Sequence, residues 1–340
     1  MPKLYQEAES LLKEIYWGET HDSRSKLNLP KIIEDKLVEE NNNKDPEYYS
    51  HRPGVVHTTS LAKCLRGVIH EMLGAKKTSE IDPRKLGVFK AGNLFEDFIV
   101  ASLGSRVIHQ QRQYEYRYKS ILIVGRSDYT IDDEGVLRVG ENKSVHSDSF
   151  WIREREGTLV AWHNQLQLET YLWLERILEP YKDEKGNIIL TNEPRLGLVP
   201  MPEEKLDNPH GIFSYISKDD CTVSGHPVQY NPRIIEEIVK PAIEIVNEGY
   251  EKKDPTVAPL PALAIFSEAK HQYQKNWLCT YCEYHSHCAG AGWLLEAMNL
   301  VTQKNKELKS SMPKPEKKTK PTITVEEVEP PTAELPEAVV

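Results

Sequence analysis

The sequence predicts an α/β fold in which helices flank a mixed sheet. A helical pattern over about 86–103 precedes three strand-like stretches, 107–118, 121–131 and 136–143. A long amphipathic stretch, about 159–178, follows them. The chain has 340 residues, 39% of them hydrophobic, which is enough to form a core despite a mean hydropathy of -0.56. The helix–three-strand–helix order suits a mixed sheet with one helix packed before it and one after it.

Residues 1–57 read as a polar, helical lead-in, with a loop at Asn41-Asn42-Asn43-Lys44-Asp45-Pro46. Thr59 or Ser60 can cap a helix running to about Leu73, with Gly74 as its stop. The next helix places Val88, Leu94, Phe95, Phe98 and Ile99 near one face. Asp132-Asp133-Glu134-Gly135 is the turn before the third strand. Residues 193–230 hold two or three further strands. Asn231-Pro232 then opens a helix whose apolar face is Ile234, Ile235, Ile238, Val239, Ile245 and Val246, bent at Pro241. The tail, 308–340, is Pro-, Lys-, Glu- and Thr-rich without aromatics, a composition that cannot offset its ordering entropy, and is expected to be disordered.

No stretch approaches the roughly 18 apolar residues of a membrane helix. The first twenty residues lack the apolar run of a secretory signal. The expectation is a cytoplasmic protein with no membrane partner. Net charge is -9, which gives no bulk support for nucleic-acid binding. Lys63, Arg66, Lys76, Lys77, Arg84, Lys85 and Lys90 outnumber the local acids and can form a basic face, although an ordinary solvated face fits that run equally well. The cysteines are Cys64, Cys221, Cys279, Cys282 and Cys288. Their odd count and tight spacing argue against a disulfide framework and for thiolates around a metal.

The segment Gly125-Arg126-Ser127-Asp128 is followed, across the hairpin, by Gly140-Glu141-Asn142-Lys143. Glu141 and Lys143 are two apart on a strand and share a face, and antiparallel pairing can set Asp128 beside them. Two carboxylates on one face repel unless a cation lies between them, and hard oxygen donors suit Mg²⁺ or Mn²⁺. A nearby ammonium can orient an attacking water or stabilise charge growing on a phosphate. A lone Glu-x-Lys is usually only a weak surface pair. Two further elements strengthen it. Glu96, in Gly92-Asn93-Leu94-Phe95-Glu96, can add a third carboxylate; Gln167 and Tyr171 are four apart on one helical face. Taken together the set describes a hydrolytic phosphodiester site.

The order Gly-x-x-x-Glu, Gly-x-x-Asp, Glu-x-Lys, Gln-x-x-x-Tyr resembles the RecB-like branch of the PD-(D/E)XK nucleases, over about 58–290. The resemblance implies a restriction-endonuclease-like mixed sheet spanning 58–300. It implies Glu96, Asp128 and Glu141 as Mg²⁺ or Mn²⁺ ligands, Lys143 as the catalytic lysine, and Gln167 and Tyr171 as an accessory motif. Many members carry His where this chain has Glu96, which puts metal preference in question.

Cys279, Cys282 and Cys288 form C-x2-C-x5-C, three soft donors that leave one position for Cys64. One cysteine before the core and three after it is similar to the iron–sulfur group of the same family, which includes CRISPR-associated adaptation exonucleases and AddB-type subunits. The implied cofactor is a [4Fe–4S] cluster on Cys64, Cys279, Cys282 and Cys288, acting as a C-terminal clamp. Zinc stays open as the alternative, because His285 and His287 lie inside the loop. Cys221 would suit a small buried apolar position.

The resemblance implies a DNA exonuclease acting on single-stranded ends, in CRISPR adaptation or in recombination and repair. Arg126, Arg153, Arg155, Trp151 and Trp162 are candidates for holding the strand, with Arg112 and Arg117 on the strand before. The tail is a candidate docking segment for a protein partner. A non-catalytic DNA-binding scaffold with a structural zinc or iron–sulfur site is the competing class.

Overall fold

This structure is a computed structural model. It describes residues 29–43, 52–77, 83–157, 160–260, 264–267, 272–276, 279, 282–284, 287–288 and 293–311. The chain is mixed α/β, with two mixed sheets flanked by helices. The lead-in contributes helix α1 (Leu29–Asn42) and strand β1 (Val55–His57). Helix α2 (Leu65–Met72) is shorter than expected. Thr58–Ser60 forms a 3-10 turn instead, and Cys64 occupies the position before the helix. Gly74 does end it, in a left-handed conformation (φ 73°) that glycine adopts without steric cost.

Helix α3 (Pro83–Leu103) contains the predicted stretch but buries a different face. Leu86 and Ile99 are buried and Phe95 packs beside Ile99, whereas Val88, Leu94 and Phe98 are exposed. Apolar residues occupy nearly every side of this helix, so periodicity cannot select the buried one.

The first two strand-like stretches each divide in two. The first becomes β2 (Val107–Gln110) and β3 (Gln113–Tyr118); the second becomes β4 (Ile121–Arg126) and β5 (Tyr129–Asp133). The first break is at Gln111, whose φ of 55° turns the backbone out of its strand. The second falls at Ser127–Asp128. Strands β3 and β4 join one sheet, β2 and β5 the other. The third stretch is β6 (Val136–Val145).

The predicted helix at 159–178 is α5 (Trp162–Ile177); a separate helix not expected from the sequence, α4 (Ser147–Glu156), precedes it and is closed by left-handed Gly157. Then come β7 (Glu179–Lys182), β8 (Ile188–Thr191), β9 (Val199–Pro200), β10 (His210–Ser217) and β11 (Val223–Val228). Asn231 caps the following helix as expected, accepting from the Arg233 N–H at 3.1 Å. The chain passes through a π-helical turn (Ile235–Val239) into α6 (Lys240–Lys252). Pro241 therefore sits in the first turn of α6, where its missing N–H costs least. Ile235, Val239 and Val246 are buried, while Ile238 is half exposed.

One sheet has the order β1-β4-β3-β8-β7-β9, the other β11-β10-β6-β5-β2. Each combines parallel and antiparallel pairs. Helix α5 packs between them, with Leu168, Leu172 and Leu174 fully buried in the larger core. The smaller core joins α3 to the outer face of the five-stranded sheet through Ile99, Tyr129, Ile131 and Ile216. A short hairpin, β12 (Ala264–Ser267) and β13 (Gln272–Lys275), precedes α7 (Trp293–Ser311). The start of the predicted tail, 308–311, is thus helical, and the rest of it lies outside the described residues. Among the described residues no helix is long and apolar enough to cross a membrane.

Candidate active site

The site forms where the two sheets part. Tyr129 of β5 pairs with Gly140 of β6, so Asp128, one residue earlier, stands beside Glu141. Two backbone bonds and one side-chain bond hold the Asp128 corner. Its N–H donates to the Gly140 carbonyl at 3.2 Å, its carbonyl accepts from the Gln111 N–H at 3.0 Å, and its Oδ2 accepts from the Asn142 N–H at 2.6 Å. Glu141 and Lys143 share one face of β6, as the period of a strand requires, and the Lys143 ammonium donates to Glu141 Oε1.

Helix α5 closes the site from above. Gln167 Nε2 donates to Glu141 Oε1 at 2.7 Å and lies 3.0 Å from the Tyr171 hydroxyl. Gln167 Oε1 accepts from Lys143 Nζ at 3.3 Å. Thr58, in the 3-10 turn, reaches the same Tyr171 hydroxyl at 3.3 Å. This packing explains Gly125. A Cβ there would fall 2.7 Å from Thr58 Cγ2 and 2.8 Å from Tyr171 Cε1, so only glycine lets the helix approach β4.

Glu96 approaches from α3 and accepts from Gln111 Nε2 at 3.1 Å. It lies near enough for its charge to act on both other carboxylates. Burial, followed by Glu141 and Glu96, pushes the Asp128 carboxyl well above its usual 3.8. Burial also raises Glu141, with Glu96 adding to the rise and Lys143 opposing it. Burial disfavours the Lys143 ammonium, but Glu141 and Asp128 outweigh it and raise its pKa. Glu141 Oε2 is buried without a hydrogen-bond partner. A desolvated oxygen in this position is costly unless something positive meets it.

Glu96, Asp128, Glu141, Lys143, Gln167 and Tyr171 are therefore brought together. Thr58 and Gln111 are also part of the assembly and gave no local sequence signal. So is Tyr215 of β10, which lies beside Lys143 in register and accepts from Asn164 Nδ2 at 2.8 Å. The strand-holding candidates divide. Arg153, Arg155 and Trp162 are exposed on α4 and at the start of α5, and Arg126 is half-buried at the end of β4. Trp151 is also exposed, with its Nε1 donating to Asp220 Oδ2 at 3.2 Å. Arg117 faces outward and pairs with Glu193 at 3.1 Å. Arg112 does not belong in the set, because it is fully buried against Glu175 and cannot reach a substrate.

The cysteines behave similarly. Cys64 lies at the start of α2, and on that helix a Cβ at Gly67 would fall 3.3 Å from Cys282 Sγ. The contact is reinforced by the His70 and His287 rings at 5.3 Å, the Lys77–Glu283 pair at 2.8 Å, and His287 Nε2 donating to the Lys76 carbonyl at 2.8 Å. Burial, then the neighbouring Cys64 and Cys282 thiols, pushes Cys279 and Cys288 up to about 11. Cys221 is exposed in the β10–β11 turn rather than buried, because that tight turn (φ 57°) projects into solvent. His285 lies outside the described residues. Among the described residues no three His, Cys, Asp or Glu side chains already form a cage that could hold an ion.

No family model and no curated protein matches this chain. A solved structure described as "Crystal structure of SSO0001" is similar at 17% identity and a TM-score of 0.41, over 76% of this chain and 95% of that one. A likeness at that level carries no functional argument.

Proposed function

We propose that this protein is a Mg²⁺- or Mn²⁺-dependent deoxyribonuclease of the restriction-endonuclease-like kind, an exonuclease acting on single-stranded ends in the cytoplasm. The observation that carries the hydrolytic reading is Asp128 standing beside Glu141, whose Oε2 is buried and unpartnered, with Glu96 near enough for its charge to act on both and Lys143 alongside. Single-stranded specificity, exonuclease action, and a role in CRISPR adaptation or recombination and repair rest on the sequence resemblance. The hard oxygen donors fit a divalent cation held by Glu96, Asp128 and Glu141, which would supply Lewis-acid activation of water. Lys143 carries positive charge beside these carboxylates, where it can offset charge growing on a phosphate. Gln167 fixes the Glu141 and Lys143 side chains relative to one another, and Tyr171 fixes Gln167. Cleavage of an end-labelled single strand, comparing the native protein with Lys143→Ala and Asp128→Ala, tests this reading.

The same charges make a prediction about stability. The folded Asp128 and Glu141 carboxyls hold protons that the unfolded chain gives up near 3.8 and 4.5. The folded state therefore binds more protons than the unfolded one above those values, and stability falls as pH rises toward the raised folded values. Without divalent ions the melting temperature should decline as pH rises above the ordinary carboxylate range. Added Mn²⁺ should raise it more at higher pH, where the ion meets less competition from protons. An ion effect independent of pH would count against a cation site on these carboxylates.

The four thiols, Cys64, Cys279, Cys282 and Cys288, are a soft donor set, and we propose that they hold a [4Fe–4S] cluster that clamps the C-terminal segment to α2. Protein purified without oxygen should be brown, absorbing near ~400 nm, and Cys282→Ser should be colourless. Colourless native protein containing stoichiometric zinc would replace iron–sulfur with the zinc alternative.

A further inference from the structure

The corner that carries Asp128 is tied to α5 by a buried network with no exposure to substrate. Arg112 donates to both oxygens of Glu175, from Nε at 2.9 Å and Nη2 at 3.0 Å, and both side chains are fully buried. The Tyr114 hydroxyl lies 2.8 Å from Glu175 Oε1 and 3.1 Å from Ser127 Oγ. A phenol has one proton. The phenol donates it in a hydrogen bond to the Glu175 carboxylate, and the Ser127 hydroxyl is placed to donate to the phenol oxygen. The Tyr114 ring stacks on Tyr171 at 5.1 Å with 15° between planes. The Ser127 N–H donates to the Arg112 carbonyl at 3.1 Å, one step from the bond between the Gln111 N–H and the Asp128 carbonyl.

We infer that Tyr114, braced by the Arg112–Glu175 pair, is a positioning residue. It fixes the Ser127–Asp128 corner to α5 and so sets where Asp128 stands relative to Glu141, Gln167 and Tyr171. The consequence for ion binding rests on the proposed carboxylate centre, whereas the brace itself rests on the geometry alone. Groups that hold a ligand's backbone in place act on affinity without touching the ion. A buried pair by itself is weak evidence of stabilisation, so the network is better understood through what it orients.

Two single variants both remove the Tyr114–Ser127 bond, from opposite ends, and Tyr114→Phe also removes the bond to Glu175. Tyr114→Phe keeps the ring on Tyr171, and Ser127→Ala keeps the backbone bond to Arg112. The full chain is measured in each case by amide hydrogen exchange and by calorimetric titration with Mn²⁺ alone. Exchange in peptides covering 125–128 should quicken by about tenfold with little change elsewhere. Mn²⁺ affinity should fall by about tenfold in either variant, with no further loss in the double variant. Unchanged exchange and unchanged Mn²⁺ affinity in both single variants overturns the assignment. If the native protein binds no Mn²⁺, the metal-hydrolysis reading falls. Faster exchange at 125–128 would still uphold the brace, and unchanged exchange would overturn it.

Discussion

Lys143→Ala is expected to lower cleavage of a labelled single strand by about 10²–10³-fold while Mn²⁺ binding persists. The two effects separate because Lys143 contributes charge at the site but no oxygen donor. Removing it also relieves Glu141 Oε1 of one of its two donors, leaving Gln167 in place. Ion affinity should therefore hold or improve, since a competing cation is gone. Asp128→Ala should lose cleavage and binding together, because it deletes one of the carboxylates that make the pocket negative. Parallel rate measurements and calorimetric titration check both. Cleavage that survives in both variants would remove the assignment of this centre to hydrolysis.

The largest effect on stability is expected at Glu175→Ala. That change strands the Arg112 guanidinium in the interior, with Nη1 already lacking a partner. Breaking a buried pair from one side costs about 3–5 kcal/mol, because the remaining charge stays desolvated. For a domain of this size the melting temperature should drop by on the order of ten degrees. The double variant Arg112→Met with Glu175→Ala should recover much of the loss, because no charge is then left buried. Thermal scanning of both checks this, and a single variant that melts like the native protein would show that solvent reaches Arg112.

Several features were legible because they depend on local geometry. Glu141 and Lys143 share a face because side chains alternate along a strand, and Gln167 and Tyr171 meet because they are one helical turn apart. Asn231 caps its helix because its side chain accepts the Arg233 N–H. Other readings failed where several arrangements satisfied the same local pattern. Within 107–118 alternation is confined to Tyr114, Tyr116 and Tyr118, and the polar run 109–113 has no Gly or Pro to mark the turn at Gln111 that sends β2 and β3 to different sheets. Arg112 reads as a surface arginine until its partner, 63 positions later, is folded against it.

By itself, the sequence determined the α/β class, the spacing of the acid and lysine residues on β6, and the gathering of soft donors at 279–288. Those properties depend on composition and on the period of a single element. Only the tertiary structure decided which face of α3 is buried, that the Asp128 corner lies between two sheets, and that Thr58, Gln111 and Tyr114 support the site. A periodic pattern specifies which side chains point the same way. Which partner they meet is decided by burial and long-range hydrogen bonds, and those exist only once the chain has closed on itself.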